Sequence, residues 1–251
     1  MQIVVNSLLI NYSIAGNGKK EILMLHGWGD DSSTFNLLSQ QLSKTYKVIR
    51  LDLPGFGASQ PPNSVWSLDD YAQFIAQFLN KIKTSSLFCV IGHSNGGSLA
   101  IKTLATQRIK VERMVLIASA GIRTPHSPKN ITLKVIAKTG KAVTFWLPSH
   151  QQKQLQKKFY GSIGSDMLVA PHLIETFKKT VKEDIKQYAK KIKIPTLLIY
   201  GDKDKATPVR FGDQFSQLII GSKLIVVSDA GHFVHHDQAV YVIQLIQEFL
   251  E

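Results

Sequence analysis

Gly92-His93-Ser94-Asn95-Gly96 stands between Leu87-Phe88-Cys89-Val90-Ile91, an unbroken apolar run, and Gly97-Ser98-Leu99-Ala100-Ile101, the start of an amphipathic one. The first run reads as a buried strand and the second as a helix, which puts the serine on a sharp strand-to-helix turn. A serine there is held in a strained backbone conformation with its hydroxyl pointing up and out of the sheet. The residues two before and two after it must be small, because larger side chains would collide across the turn. Both are glycine. The pentapeptide in this setting predicts a nucleophile elbow, with Ser94 as the nucleophile.

Outward from the elbow, short apolar runs alternate with helical patterns, the signature of an α/β chain with a mostly parallel sheet flanked by helices. Two early strands, Gln2–Asn6 and Leu8–Ala15, are expected to pair antiparallel ahead of the Gly16-Asn17-Gly18 turn. Strands follow at Glu21–Leu25, Lys47–Leu53, the elbow strand, Arg113–Ala118, Thr196–Tyr200 and Lys223–Val227. Helices are expected over Ser33–Ser43, from an N-cap at Ser67 with acids behind it to about Lys81, from the elbow to about Thr106, near Pro208–Leu218 and over Gln238–Leu250. From about Gly121 to Lys186 the alternation stops. Helical spacing there is punctuated by Pro125, Pro128, Pro148 and Pro171, which predicts an insert within one domain spanning residues 1–251.

A serine hydroxyl is a poor nucleophile at neutral pH and needs a base, a carboxylate to orient the base, and donors for the developing oxyanion. Strand ends supply them. Asp202 and Asp204 follow the strand Thr196–Tyr200, and His232 follows Lys223–Val227 within Asp229-Ala230-Gly231-His232. In an open α/β sheet the carboxyl ends of the strands share one edge, so residues remote in sequence converge there. His235 and His236 lie close to His232, but only His232 follows the strand and glycine; the other two are expected as near-surface residues of the next helix cap. The cluster has no H-E-x-x-H arrangement and no distant partner, so it is not read as a metal site. His26 and His93 are expected to anchor loops, Asp52 to shape the loop at its strand end, and Cys89 to be an inert core residue. Gly55-Phe56-Gly57 fails as a dinucleotide fingerprint because Gln60 stands where the third glycine belongs.

Over essentially its whole length the chain resembles the α/β-hydrolase superfamily. The motifs that carry the likeness are His26-Gly27-Trp28-Gly29, Asp52-Leu53-Pro54-Gly55-Phe56-Gly57, Gly92 through Gly97, Gly201 through Pro208, and Gly231-His232. That resemblance implies an oxyanion hole made by the backbone N–H groups of Trp28 and Asn95. It implies that residues 121–186 form a helical cap over the site, and the family spacing of glycine and proline prefers Asp204 over Asp202, which becomes a turn carboxylate. Trp28 and Phe233, beside the candidate machinery, are expected to contact substrate, with Phe56 and Trp146 as further pocket-lining candidates. Within the superfamily the HGWG and DLPGFG strings look most like carboxylesterases, including pimeloyl-[acyl-carrier protein] methyl ester esterases. The expected function is therefore serine ester hydrolysis through Ser94, His232 and Asp204, with no metal or organic cofactor implied. C–C bond hydrolases of vinylogous diketones use the same triad, lipases and haloperoxidase-like members differ in pocket shape, and non-catalytic ligand-binding members share the fold. The last often lose a triad residue, and none is missing here.

Composition sets outer bounds. The chain has 251 residues and 44% hydrophobic content, enough for one large core. One cysteine excludes an internal disulfide, and no segment has the apolar length of a membrane span. The N-terminus lacks the pattern of a signal peptide, so a cytoplasmic location is expected. Net charge is +12, and fifteen Lys or Arg against four Asp or Glu lie between Arg123 and Lys193. The charge belongs to the insert. It reads either as a solvated face or as an electropositive surface for an acidic substrate, an anionic membrane or an acidic carrier protein. No recognition motif points to nucleic acid, and the few aromatics there do not interleave with the lysines.

Overall fold

The computed structural model describes residues 1–123 and 170–251. Eight strands form one sheet: β1 Gln2–Val5, β2 Leu8–Ala15, β3 Glu21–Leu25, β4 Lys47–Leu51, β5 Ser86–His93, β6 Lys110–Ile117, β7 Thr196–Gly201 and β8 Lys223–Val227. Their order across the sheet is β1-β2-β4-β3-β5-β6-β7-β8. The pairs β1·β2 and β2·β4 are antiparallel, and all the others are parallel. The β1–β2 hairpin turns at Asn6 and Ser7, whose φ values of 50° and 63° are both positive, the backbone a tight hairpin requires. Strand order reverses at β3, which lies between β4 and β5, so the carboxyl ends of β3 and β5 flank a topological switch point.

The central strands read as continuous apolar runs because both faces are covered. Alternate residues sort into two cores: Leu23, Leu25, Val90, Met114, Leu116, Leu198 and Tyr200 on one side, and Ile22, Met24, Cys89, Ile91, Val115, Ile117, Leu197 and Ile199 on the other. On the first face pack α2 Leu68–Lys81 and α3 Asn95–Ala105, with α4 Ile174–Thr180, α5 Lys186–Ala189 and α6 Val209–Leu218. On the second face lie α1 Asn36–Leu42, the short α7 Val234–Asp237 and α8 Ala239–Leu250. Local chemistry explains where α2 starts. Ser67 Oγ accepts from Asp70 N–H while Asp70 Oδ2 accepts from Ser67 N–H, a reciprocal cap that satisfies two otherwise orphaned donors. Tyr71, Phe74, Ile75 and Phe78 then face the sheet with helical spacing.

Observed boundaries depart modestly from the expectations. β1 stops at Val5, before the two positive-φ residues, and β4 stops at Leu51. β6 begins at Lys110 instead of Arg113, because parallel pairing with β5 extends into its polar, half-exposed start. The segment expected as the helix Ser33–Ser43 begins as a 3-10 turn at Ser32–Phe35 before becoming α1. Most of the expected cap, with Trp146 and Pro125, Pro128 and Pro148, lies outside the described residues. Its described roots meet each other: Ile185 N–H donates to Gly121 O at 3.0 Å and Lys186 Nζ to Arg123 O at 3.2 Å. No helix among the described residues is long and apolar enough to cross a membrane.

Candidate active site

Ser94 joins β5 to α3 with φ 51° and ψ −117°, a conformation that costs about 1–3 kcal/mol for a residue bearing a side chain. Neighbouring hydrogen bonds hold it there: Ser94 N–H donates to Ile117 O at 3.0 Å and Ala120 N–H to Ser94 O at 3.0 Å. The flanking glycines are sterically required. A Cβ on Gly96 would sit 2.0 Å from Leu25 O, and one on Gly92 would sit 2.6 Å from Gly96 O.

The other candidates arrive from β7 and β8. His232 Nδ1 lies 2.8 Å from Asp204 Oδ2, and Asp204 is buried. A carboxylate accepts only, so Nδ1 carries the proton and the opposite nitrogen, Nε2, is left to act as base. Asp204 Oδ1 accepts from Ala206 N–H at 2.7 Å and Thr207 N–H at 3.0 Å, and Oδ2 also lies 2.7 Å from Thr207 Oγ1. Burial pushes this carboxyl up, but hydrogen bonds and charge from His232, with the Thr207 bonds, outweigh it and hold the group below the usual carboxylate range. Asp202 is elsewhere, its Oδ1 accepting from Ala230 N–H at 3.3 Å, which is the turn role expected of it.

His93 couples the elbow to the loop carrying His232. Its Nε2 lies 3.0 Å from the His232 carbonyl, so Nε2 is the protonated nitrogen, and the two rings are 4.9 Å apart. Burial, with the His232 charge adding to it, pushes His93 down to about 3. Ser94 Oγ itself forms no hydrogen bond among the described residues. The geometry therefore brings Asp204 and His232 into contact and sets His232 against the residue preceding Ser94, with no hydrogen bond between Ser94 Oγ and His232 among the described residues.

Trp28, in the loop after β3, and Asn95, the first residue of α3, have no backbone acceptor for their N–H groups among the described residues. The Trp28 ring is buried between Phe56 at 4.9 Å and Phe177 at 5.0 Å, and its Nε1 is buried without a partner among the described residues. Phe233 is 41% exposed, with its ring 5.6 Å from that of His232. His26 is an anchor: Nδ1 donates to Gly27 O at 2.7 Å and Nε2 accepts from Leu53 N–H at 2.9 Å. Asp52 accepts from Ser32 N–H, Asn11 Nδ2 and Ala58 N–H, shaping its loop as expected. His235 corrects the expectation of a near-surface residue. It is buried, 5.3 Å from the Phe35 ring and 4.8 Å from that of His93, because the single turn of α7 aims it inward. Thr207 was not singled out by sequence; its one signal is its place three residues after Asp204, just before Pro208. Among the described residues no group of three or more His, Cys, Asp or Glu is arranged to hold a metal ion.

A family model described as serine aminopeptidase, S33, matches residues 16–239. A pimeloyl-[acyl-carrier protein] methyl ester esterase of Neisseria meningitidis serogroup C is 27% identical over 248 residues, covering 92% of this chain and 94% of its own length. Among solved structures, an enol-lactonase from Burkholderia xenovorans superposes with TM-score 0.78 at 21% identity, over 100% of this chain and 99% of its own. A meta-cleavage product hydrolase from Pseudomonas fluorescens gives TM-score 0.75 at 23% identity, over 99% and 96%. Both structural likenesses speak for the fold alone.

Proposed function

Because this chain belongs to the S33 serine aminopeptidase family, within the α/β-hydrolase superfamily, we propose that it is a serine hydrolase cleaving carboxylic esters through an acyl-enzyme. The observation that carries the reading is the His232 Nδ1–Asp204 Oδ2 bond of 2.8 Å, with the His232 carbonyl held 3.0 Å from Nε2 of His93, the residue before a serine held at φ 51°. In this reading Ser94 Oγ attacks the ester carbonyl carbon as His232 Nε2 takes the hydroxyl proton, and Asp204 stabilises the imidazolium that forms. Backbone N–H groups of Trp28 and Asn95 receive the oxyanion. Collapse expels the alcohol, protonated by His232, and water activated by the same imidazole releases the acid and restores Ser94.

Labelling by a fluorophosphonate probe tests the chemistry: wild type reacts and Ser94→Ala does not. Failure of the wild type to label would favour a ligand-binding role. Substrate class is tested by p-nitrophenyl esters of graded chain length beside a ring-cleavage dienoate and an amino-acid p-nitroanilide. Turnover of the dienoate in preference to every ester would replace ester cleavage by C–C cleavage.

A second reading, that the ester is presented on an acidic carrier protein, has a charge observation in its favour. Seven lysines lie between Lys178 and Lys193. The acids of that stretch and its approach are already engaged: Glu175 with Lys178, Glu183 with Lys102 and Asp184 with Lys186. Exposed Lys182, Lys190, Lys191 and Lys193 are in no ion pair among the described residues, and such an excess of positive charge steers an acidic partner more than it holds one. Changing exposed Lys182, Lys190, Lys191 and Lys193 to Glu should raise KM for a carrier-bound ester while leaving p-nitrophenyl ester turnover intact. Unchanged carrier-ester kinetics would remove this reading.

A further inference from the structure

Thr207 stands where three loops meet. It is buried at 4% exposure in the turn between β7 and α6, and its Oγ1 has three polar neighbours: Asp204 Oδ2 at 2.7 Å, Ala118 O at 2.9 Å and His232 Nδ1 at 3.1 Å. Each neighbour belongs to a different strand end. Ala118 follows β6 with a positive φ of 46°, donating its N–H to Ile199 O, and the residue before it accepts from Ser94 N–H. Asp204 follows β7 and His232 follows β8.

One hydroxyl has one proton, and carbonyl and carboxylate both only accept. The bond to an ionised carboxylate is the stronger, and here it is also the shorter. Asp204 Oδ1 is already occupied by two backbone N–H groups. The oxygen that must hold His232 therefore receives a second donor from one side chain, Thr207.

On the reading that Ser94, His232 and Asp204 form the triad, we propose that Thr207 is a positioning residue acting through Asp204. Its hydroxyl, donated to Oδ2, pins the carboxylate plane against His232 Nδ1 and draws charge off the oxygen that His232 leans on.

The experiment follows the second-order rate of fluorophosphonate labelling against pH, a readout that needs no knowledge of the natural ester. Thr207→Val removes the hydroxyl at nearly constant shape, and Thr207→Ser keeps it. Thr207→Val should label about tenfold more slowly and shift the acidic limb upward by about half a pH unit, since a lost donor leaves the carboxylate more basic towards His232. Thr207→Ser should keep both close to wild type. An unmoved limb and rate in Thr207→Val overturns the proposal, as does a Thr207→Ser that behaves like Thr207→Val, which would assign the effect to packing of the methyl group. Should Thr207→Val fail to fold by thermal melting, Thr207→Ala is read by the same two numbers. The two readings separate cleanly: silent Ser94→Ala and Asp204→Asn beside an unperturbed Thr207→Val removes Thr207 alone, whereas an active Asp204→Asn removes the triad and this proposal with it.

Discussion

Taking the protein from about pH 7.5 to about 5.5 protonates histidines in the unfolded chain that the folded chain keeps neutral. Burial lowers His93 to about 3, with the His232 charge adding to it, against an ordinary value of 6.5. Burial also lowers His235 well below that value, helped by the charges of His93, His236 and His232, and lowers His26. The sign follows from proton counting. Below 6.5 the unfolded state binds more protons, so the stability these groups contribute is complete above 6.5 and is lost as pH falls toward the folded value. For His93 alone, with RT about 0.6 kcal/mol, the loss is about 1.4 kcal/mol at pH 5.5 and about 2.7 kcal/mol at pH 4.5. His235 and His26 add losses of the same sign. Asp204 and Asp52, both held below the usual carboxylate range, add theirs only at lower pH. Urea unfolding followed by tryptophan fluorescence across this range should show midpoints falling steadily below about pH 6.5. His93→Gln should flatten the slope by about one proton, roughly 1.4 kcal/mol per pH unit. A stability that is level or rising from pH 7.5 to 4.5 would refute the reasoning, as would an unchanged slope in His93→Gln.

Other expectations follow from the same geometry. Ser94→Gly should abolish probe labelling yet raise unfolding stability by about 1 kcal/mol, because glycine adopts the positive φ without strain; a loss of stability would contradict it. On the proposed ester-cleaving reading, Asp204→Asn should cut p-nitrophenyl ester kcat by about 10³–10⁴-fold, while Asp202→Asn stays within a few-fold of wild type, and the reverse order would exchange their roles. Lys102 is buried on α3, with its Nζ 2.5 Å from Glu183 Oε1 and over the Tyr188 ring. Glu183→Ala strands that charge and should cost about 3 kcal/mol in urea unfolding; an unchanged midpoint would show the lysine reaching water instead.

Much was legible in the amino-acid order because it is local. Apolar runs marked the strands, Ser67 and Asp70 marked the start of α2, and two glycines around Ser94 announced a turn that excludes side chains. The likeness of Gly201 through Pro208 to a family pattern favoured Asp204 over Asp202, and the geometry places Asp204 against His232. Three features could not be read this way. The inward aim of His235, the strained Ala118 and the three-way placement of Thr207 all depend on which strand ends become neighbours. Ala118 and Thr207 are 89 residues apart and share no periodic signal, yet parallel pairing of β6 with β7 sets them side by side. Sequence alone determined which segments form strands and helices and which residue types could do chemistry, since period and turn sterics act over a few residues. Tertiary structure alone decided which polar atoms face each other, because a hydrogen bond needs partners within about 3 Å and only sheet order brings remote loops that close.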